Sequence, residues 1–296
     1  MFTTDSAGQR NQGILWMLAT MLCFVTLDSI MKYALATYSL LEVSWARFFF
    51  ATVFAVLLAG RQLPRLVVTK QPTLQISRSL MLSLTTGVFN AGIAMVALPT
   101  GTTIMMMTPI LVTLFSSLFL AEYVGWRRMA SIGVGFLGAM IVMRIWEMTK
   151  GQINHGYLLM FVAAVFNASY QTATRSLRNE DPRTTLIYSA LVGAVITSIA
   201  LPFSWVWPTF AGWMLFMGSG LAAGIGHLCL IRAYNAAPAS VIAPFYYSSI
   251  LWASLAGYII WGDQLTLTTT IGAAFIIGSG LYILLRERKL GIAERG

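Results

Sequence analysis

The chain has 296 residues, of which 57% are hydrophobic and only 10% charged, with a formal net charge of +9. A soluble domain carries roughly 25% charged residues, so these values exclude a water-soluble globule, and no polar stretch is long enough for a separate soluble domain. The bases lie between apolar runs instead of along one face, which excludes a nucleic-acid footprint and reads as a membrane-orientation signal.

Ten apolar spans follow one another, separated by short turns that carry Pro, Gly or charge. They cover residues 12–36, 41–59, 74–97, 101–121, 126–144, 154–177, 184–202, 210–235, 239–260 and 266–286. Each is long enough to cross a hydrocarbon core of about 30 Å at ~1.5 Å per residue. The ten residues before the first span hold one base, and no small-residue cleavage site follows it, so no removable signal peptide is expected. Sorted by alternate loops with the N-terminus inside, 15 of the 19 bases fall on the inner side and four on the outer. Both termini are therefore expected in the cytoplasm. Cys23 and Cys229 sit inside spans, so neither a disulfide framework nor a metal site is expected, and no motif implies a cofactor.

The spans repeat. Residues 98–128, LPTGTTIMMMTPILVTLFSSLFLAEYVGWRR, return as APASVIAPFYYSSILWASLAGYIIWGDQL from Ala237 to Leu265. Pro99 and Pro238 are 139 residues apart, and Glu122 and Asp263 are 141 apart. GILWMLATMLCFVTLDSIMKYA from Gly13 likewise aligns without gaps with GYLLMFVAAVFNASYQTATRSL from Gly156. The reading is an all-α integral membrane protein whose ten transmembrane helices form two five-helix repeats, residues 1–150 and 151–296. Five is odd, so the second repeat enters the membrane inverted. That is the architecture of many secondary transporters, with a substrate site near the midplane where the repeats meet.

The run GHLCLIRAYNAAPASVIAPFYYSSILWASLAGYIIWGD resembles the second-half signature of the drug/metabolite transporter superfamily, EamA-type branch, and LAEYVGWRRMASIGVGFLGAMIVMR resembles its first-half counterpart. The similarity covers nearly the whole chain. Within the branch it is most similar to ten-span bacterial exporters of amino acids, the aromatic amino-acid type included. The resemblance implies a bacterial inner-membrane location and a cavity lined by the first four spans of each half, with spans five and ten to one side. One departure is Gly262-Asp263, which stands where the family has Gly-Glu after span nine.

Candidate residues follow from polar, aromatic or helix-breaking groups inside spans. Asp28 is the acid well inside a span, and Lys32 lies one turn later, so an ion pair at the outer end of span one or a gate is expected. His227 in span eight is either a proton carrier or a neutral hydrogen-bonding group. Pro109 and Pro244 break spans four and nine; they do not align between the repeats, so the kinks are expected at different depths. Trp16, Asn90, Thr103, Met107, Asn167, Tyr246 and Trp252 stand at mid-depth with His227 as substrate-binding candidates, against the alternative of interhelical packing. Gly133, Gly135 and Gly138 spell G-x-G-x-x-G, but inside a span, where close helix packing accounts for them better than a nucleotide loop.

The function expected is a secondary transporter exporting amino acids or similar small metabolites, with the lipid bilayer and a small-molecule substrate as partners, no nucleic acid, and a homodimer left open. The alternatives are a transporter of cationic drugs or of a nucleotide-linked metabolite, and a non-transporting scaffold. An enzyme is not expected, because no nucleophile–base pair or metal cluster is present.

Overall fold

The computed structural model describes residues 7–119, 126–148, 154–175, 177, 180–236 and 243–289. Among them there is no strand. The main helices are α1 (Ala7–Ala34), α2 (Leu40–Ala59), α3 (Pro72–Ile93), α4 (Leu98–Met105), α5 (Thr108–Phe119), α6 (Trp126–Val142), α7 (His155–Arg175), α8 (Pro182–Ala200), α9 (Phe210–Ala236), α10 (Ser249–Trp261) and α11 (Leu267–Lys289). Each of the ten expected spans meets one of these helices or a broken pair. By length and composition alone, three stretches are apolar enough to cross a membrane: Asn11–Ala34, Leu40–Leu66 and Phe210–Leu230. The other helices are shortened by breaks or diluted by buried polar side chains; α3 alone buries Gln75, Arg78, Ser79, Thr85, Thr86 and Asn90.

Local signals explain several boundaries. Ser39 caps α2 by accepting the Glu42 N–H at 3.2 Å. Asp181 caps α8 through the Arg183 N–H at 2.8 Å, with Pro182 at the first helical position. The Arg183 guanidinium beside Asp181 also holds that carboxyl below the usual carboxylate range. Helix α10 stops at Gly262, whose φ of 70° is left-handed, and the Asp263 N–H reaches back to the Gly257 carbonyl at 3.0 Å.

The chain forms two compact units, each drawing on both halves of the sequence. The first comprises Met1–Val25, Ala97–Asn154 and Ile225–Gly296; the second comprises Thr26–Val96 and His155–Gly224. In the first unit, α6 packs on α11. A Cβ on Gly138 would lie 2.8 Å from the Gly272 carbonyl, so only glycine admits that approach. The G-x-G-x-x-G run is thus part of a helix contact. In the second unit, α3 packs on α7 and α2 on α8. Gly220 and Gly224 seat Phe50 and Phe54 in the same close-packed manner.

Span four is interrupted where Pro109 lies. Helix α4 ends at Met105, a turn covers Met106 and Met107, and α5 restarts at Thr108. Span nine runs as a 3-10 segment from Ala243 to Ser248, which contains Pro244, and becomes α-helical at Ser249. Thr108 and Ser249 are 141 residues apart, the same offset as Glu122 and Asp263. The two α-helical restarts therefore fall at equivalent positions of the repeats. The prolines sit on opposite sides of the restart, and each prevents a regular helix from running through it.

Candidate functional site

The first unit gathers an aromatic group. Trp16 and Phe24 of α1, two turns apart, pack with Tyr246 and Trp252 of span nine on a core of Met17, Met21 and Ala233. The His227 ring meets Phe24 edge-on at 5.2 Å, and the Arg232 guanidinium lies 4.8 Å over the Trp16 ring. Among the described residues, three buried polar atoms of span nine have no hydrogen-bond partner: Trp252 Nε1, Tyr247 Oη and Ser248 Oγ. A buried donor left unsatisfied costs about 1–3 kcal/mol; Tyr247 Oη lies against Gly280 of α11, whereas Trp252 Nε1 belongs to the aromatic group. Cys23 and Cys229 are both free thiols.

Other candidates of the first unit play a different part. Thr103 is fully buried and donates to the Pro99 carbonyl at 2.8 Å, while Met107 fills the interior of the break. Asp263, the departure from the family pattern, accepts the Leu98 N–H at 3.0 Å and so caps α4 across the repeats. Its counterpart Glu122 lies outside the described residues.

The second unit holds Asn90, Asn167, Asp28 and Lys32. Asn90 is fully buried; its Nδ2 donates to Ser44 Oγ at 2.8 Å, and its Oδ1 has no partner among the described residues. Asn167 is half-buried on α7. Lys32 donates to the Val96 carbonyl at 2.7 Å, and the cation whose charge acts on Asp28 is Arg47 of α2. The charge that acts on Asp28 thus includes one from a neighbouring helix, which a one-turn spacing along α1 does not reveal.

Sequence reasoning missed the arginines of this unit, having assigned both to the loop charge balance. Arg47 donates to Thr86 at 3.0 Å and stands over the Phe48 ring. Arg78 is only 1% exposed. It donates to Thr174 at 3.1 Å, to the Thr185 carbonyl at 3.0 Å and to Ser189, and it lies 4.9 Å over Tyr170. The available signal was position, since Arg78 falls inside span three as drawn. Near that end, a polar cleft of about 730 Å³ is lined by Arg65, Lys70, Glu180, Asp181 and Arg183 among others. Among the described residues no cluster of His, Cys, Asp or Glu could hold a metal ion.

A family model described as the EamA-like transporter family matches residues 11–144 and again 154–285. The chain belongs to that family. Among its relatives, a riboflavin transporter of Vibrio cholerae is 29% identical over 96% of both chains. An S-adenosylmethionine uptake transporter of Rickettsia bellii is 26% identical over 96% of this chain and 97% of its own. A pseudopaline exporter of Pseudomonas aeruginosa is 26% identical over 90% of this chain and 93% of its own. A solved crystal structure superposes with a TM-score of 0.66 at 16% identity, covering 95% of this chain and 99% of that one, which speaks to the shared fold. This EamA-family chain is accordingly a multi-pass membrane transporter. Amino-acid export in particular finds no counterpart in the names of these relatives.

Proposed function

We propose that this EamA-family protein is a secondary transporter of small metabolites that carry a flat ring. It works by alternating access of two inverted five-helix repeats, residues 1–150 and 151–296, in the bacterial inner membrane with both termini cytoplasmic. The observation that carries the reading is the aromatic group of the first unit, where Trp16 from one half and Tyr246 and Trp252 from the other pack on one apolar core, with the Trp252 Nε1 donor open. Flat walls suit a ring, and an indole N–H suits a ring carbonyl or nitrogen. Riboflavin and S-adenosylmethionine, named for two relatives, each contain a nitrogen-rich planar ring. The narrower reading, export of aromatic amino acids, uses the same walls, with Arg232 over Trp16 as a natural partner for a carboxylate.

The test is counterflow in proteoliposomes with riboflavin, phenylalanine and threonine at matched protein levels. Trp252→Ala is expected to weaken transport of the ring-bearing cargo by about tenfold, near the worth of one aromatic contact, and to affect threonine less. Asn90→Leu is expected to weaken every cargo that the protein moves. Equal transport by all variants would show these side chains to be packing groups, and movement of phenylalanine without riboflavin would select the amino-acid reading.

A further inference from the structure

At one end of the second unit, residues 62–71 between α2 and α3 are laced to α8 and the turn before it. The Lys70 N–H donates to Glu180 Oε1 at 3.1 Å, Arg183 donates to Gln62 Oε1 at 2.8 Å, and the Tyr188 hydroxyl donates to the Val67 carbonyl at 2.8 Å. These ties run between the two walls of the polar cleft of about 730 Å³, a volume within the range of small-ligand sites.

Five charged residues line the cleft, and three of them are already engaged. Asp181 and Arg183 pair with each other at 2.9 Å, and Glu180 accepts the backbone N–H of Lys70. The Arg65 guanidinium and the Lys70 ammonium remain. Both residues are exposed, and among the described residues neither side chain makes a hydrogen bond or an ion pair.

Two free cations on a surface are unremarkable in water, so their neighbours decide what they face. Val67 and Val68 lie between them in the chain and are 39% and 72% exposed. All four residues stand at the end of Leu40–Leu66, a stretch long and apolar enough to cross a membrane. At that depth headgroup phosphates and the first methylenes of the acyl chains lie side by side. Exposed valines gain from the acyl chains and cations from the phosphates.

We propose that this cleft binds the headgroup of an anionic phospholipid of the inner leaflet, with Arg65 and Lys70 on its phosphate and Val67 and Val68 against its acyl chain. Arg65 offers a planar fork to two phosphate oxygens, and Lys70 adds a point charge. The bound lipid fastens residues 62–71 to α8 in addition to the three hydrogen bonds. The choice of leaflet rests on the cytoplasmic termini proposed above, whereas the binding itself does not.

The test is native mass spectrometry of the purified protein in nonionic detergent, titrated with phosphatidylglycerol and, separately, phosphatidylcholine. Phosphatidylglycerol is expected to bind more tightly. Each cation beside an anionic lipid contributes about fivefold, so the double variant Arg65→Gln with Lys70→Gln should weaken its binding by about thirtyfold. Arg127→Gln, which removes an exposed base of α6 outside the cleft, should leave it unchanged. Val68→Glu sets an acid beside both cations at an exposed position, and it should abolish the preference for phosphatidylglycerol even where the double variant fails to fold. Phosphatidylglycerol should also raise the melting midpoint of the unaltered protein, and inorganic phosphate at the same concentration should not. Equal binding of the two lipids, an equal loss in Arg127→Gln, or a preference kept by Val68→Glu overturns the proposal. A midpoint raised as much by inorganic phosphate also overturns it, since the site would then take a free anion. A reporter after Arg288 that reads as external, with phosphatidylglycerol binding intact, would reject the orientation and move the same site to the outer leaflet.

Discussion

Asp28 and Arg47 illustrate how charges are accommodated at the residue scale. Both are half-buried and each charge acts on the other, so removing one leaves the other less compensated, which costs more than the ~0–1 kcal/mol of an exposed pair. Asp28→Asn and Arg47→Gln are each expected to lower the melting midpoint in detergent. The double variant should lose less than the sum, with an interaction of about 1–3 kcal/mol. Lys32→Met is also expected to lower the midpoint, since it removes the donor to the Val96 carbonyl. Strictly additive losses for Asp28 and Arg47 would dismiss the pair. Asp28 was legible in the sequence because an acid inside a span is rare. Its partner was not, because a one-turn spacing makes a contact possible along one helix and says nothing of a cation arriving from the next.

At the scale of elements, α3 is tied to α7 and α8 through a single guanidinium. Arg78 engages two hydroxyls, one carbonyl and the face of Tyr170, a set that needs a planar fork and not a point charge. Arg78→Lys, which keeps the charge, is therefore expected to destabilise by ~2–4 kcal/mol through lost charged hydrogen bonds, and thermal unfolding in detergent reads it directly. A variant that melts like the unaltered protein would mean the contacts are incidental. The breaks in spans four and nine belong to this scale too. Each proline was visible, but its position marks only where a helix cannot run on. The restart is set by the turn around it, which placed Thr108 and Ser249 at equivalent positions although Pro109 and Pro244 are not.

For the whole molecule, the 15-to-four distribution of bases makes a topological prediction. A reporter joined after Arg288 is expected to read as cytoplasmic. A cysteine in place of exposed Gln264, between α10 and α11, is expected to react with an impermeant reagent added outside intact cells. Reaction only after permeabilisation would reject the inverted arrangement of the repeats.

The helical content, the approximate spans, the internal repeat and the transporter family were all readable from the chain by itself. Those properties follow from composition, from apolar length and from residues recurring at a fixed offset, and each survives without knowledge of what touches what. The tertiary structure alone decided which polar groups are satisfied. It set Trp16, Tyr246 and Trp252 from opposite halves on one apolar core and buried Arg78 among hydroxyls. Hydrogen-bond partners more than a hundred positions away in the chain, or on a neighbouring helix, leave no local pattern. Whether a carboxylate is a cap, an ion-pair member or a proton carrier depends on those partners alone.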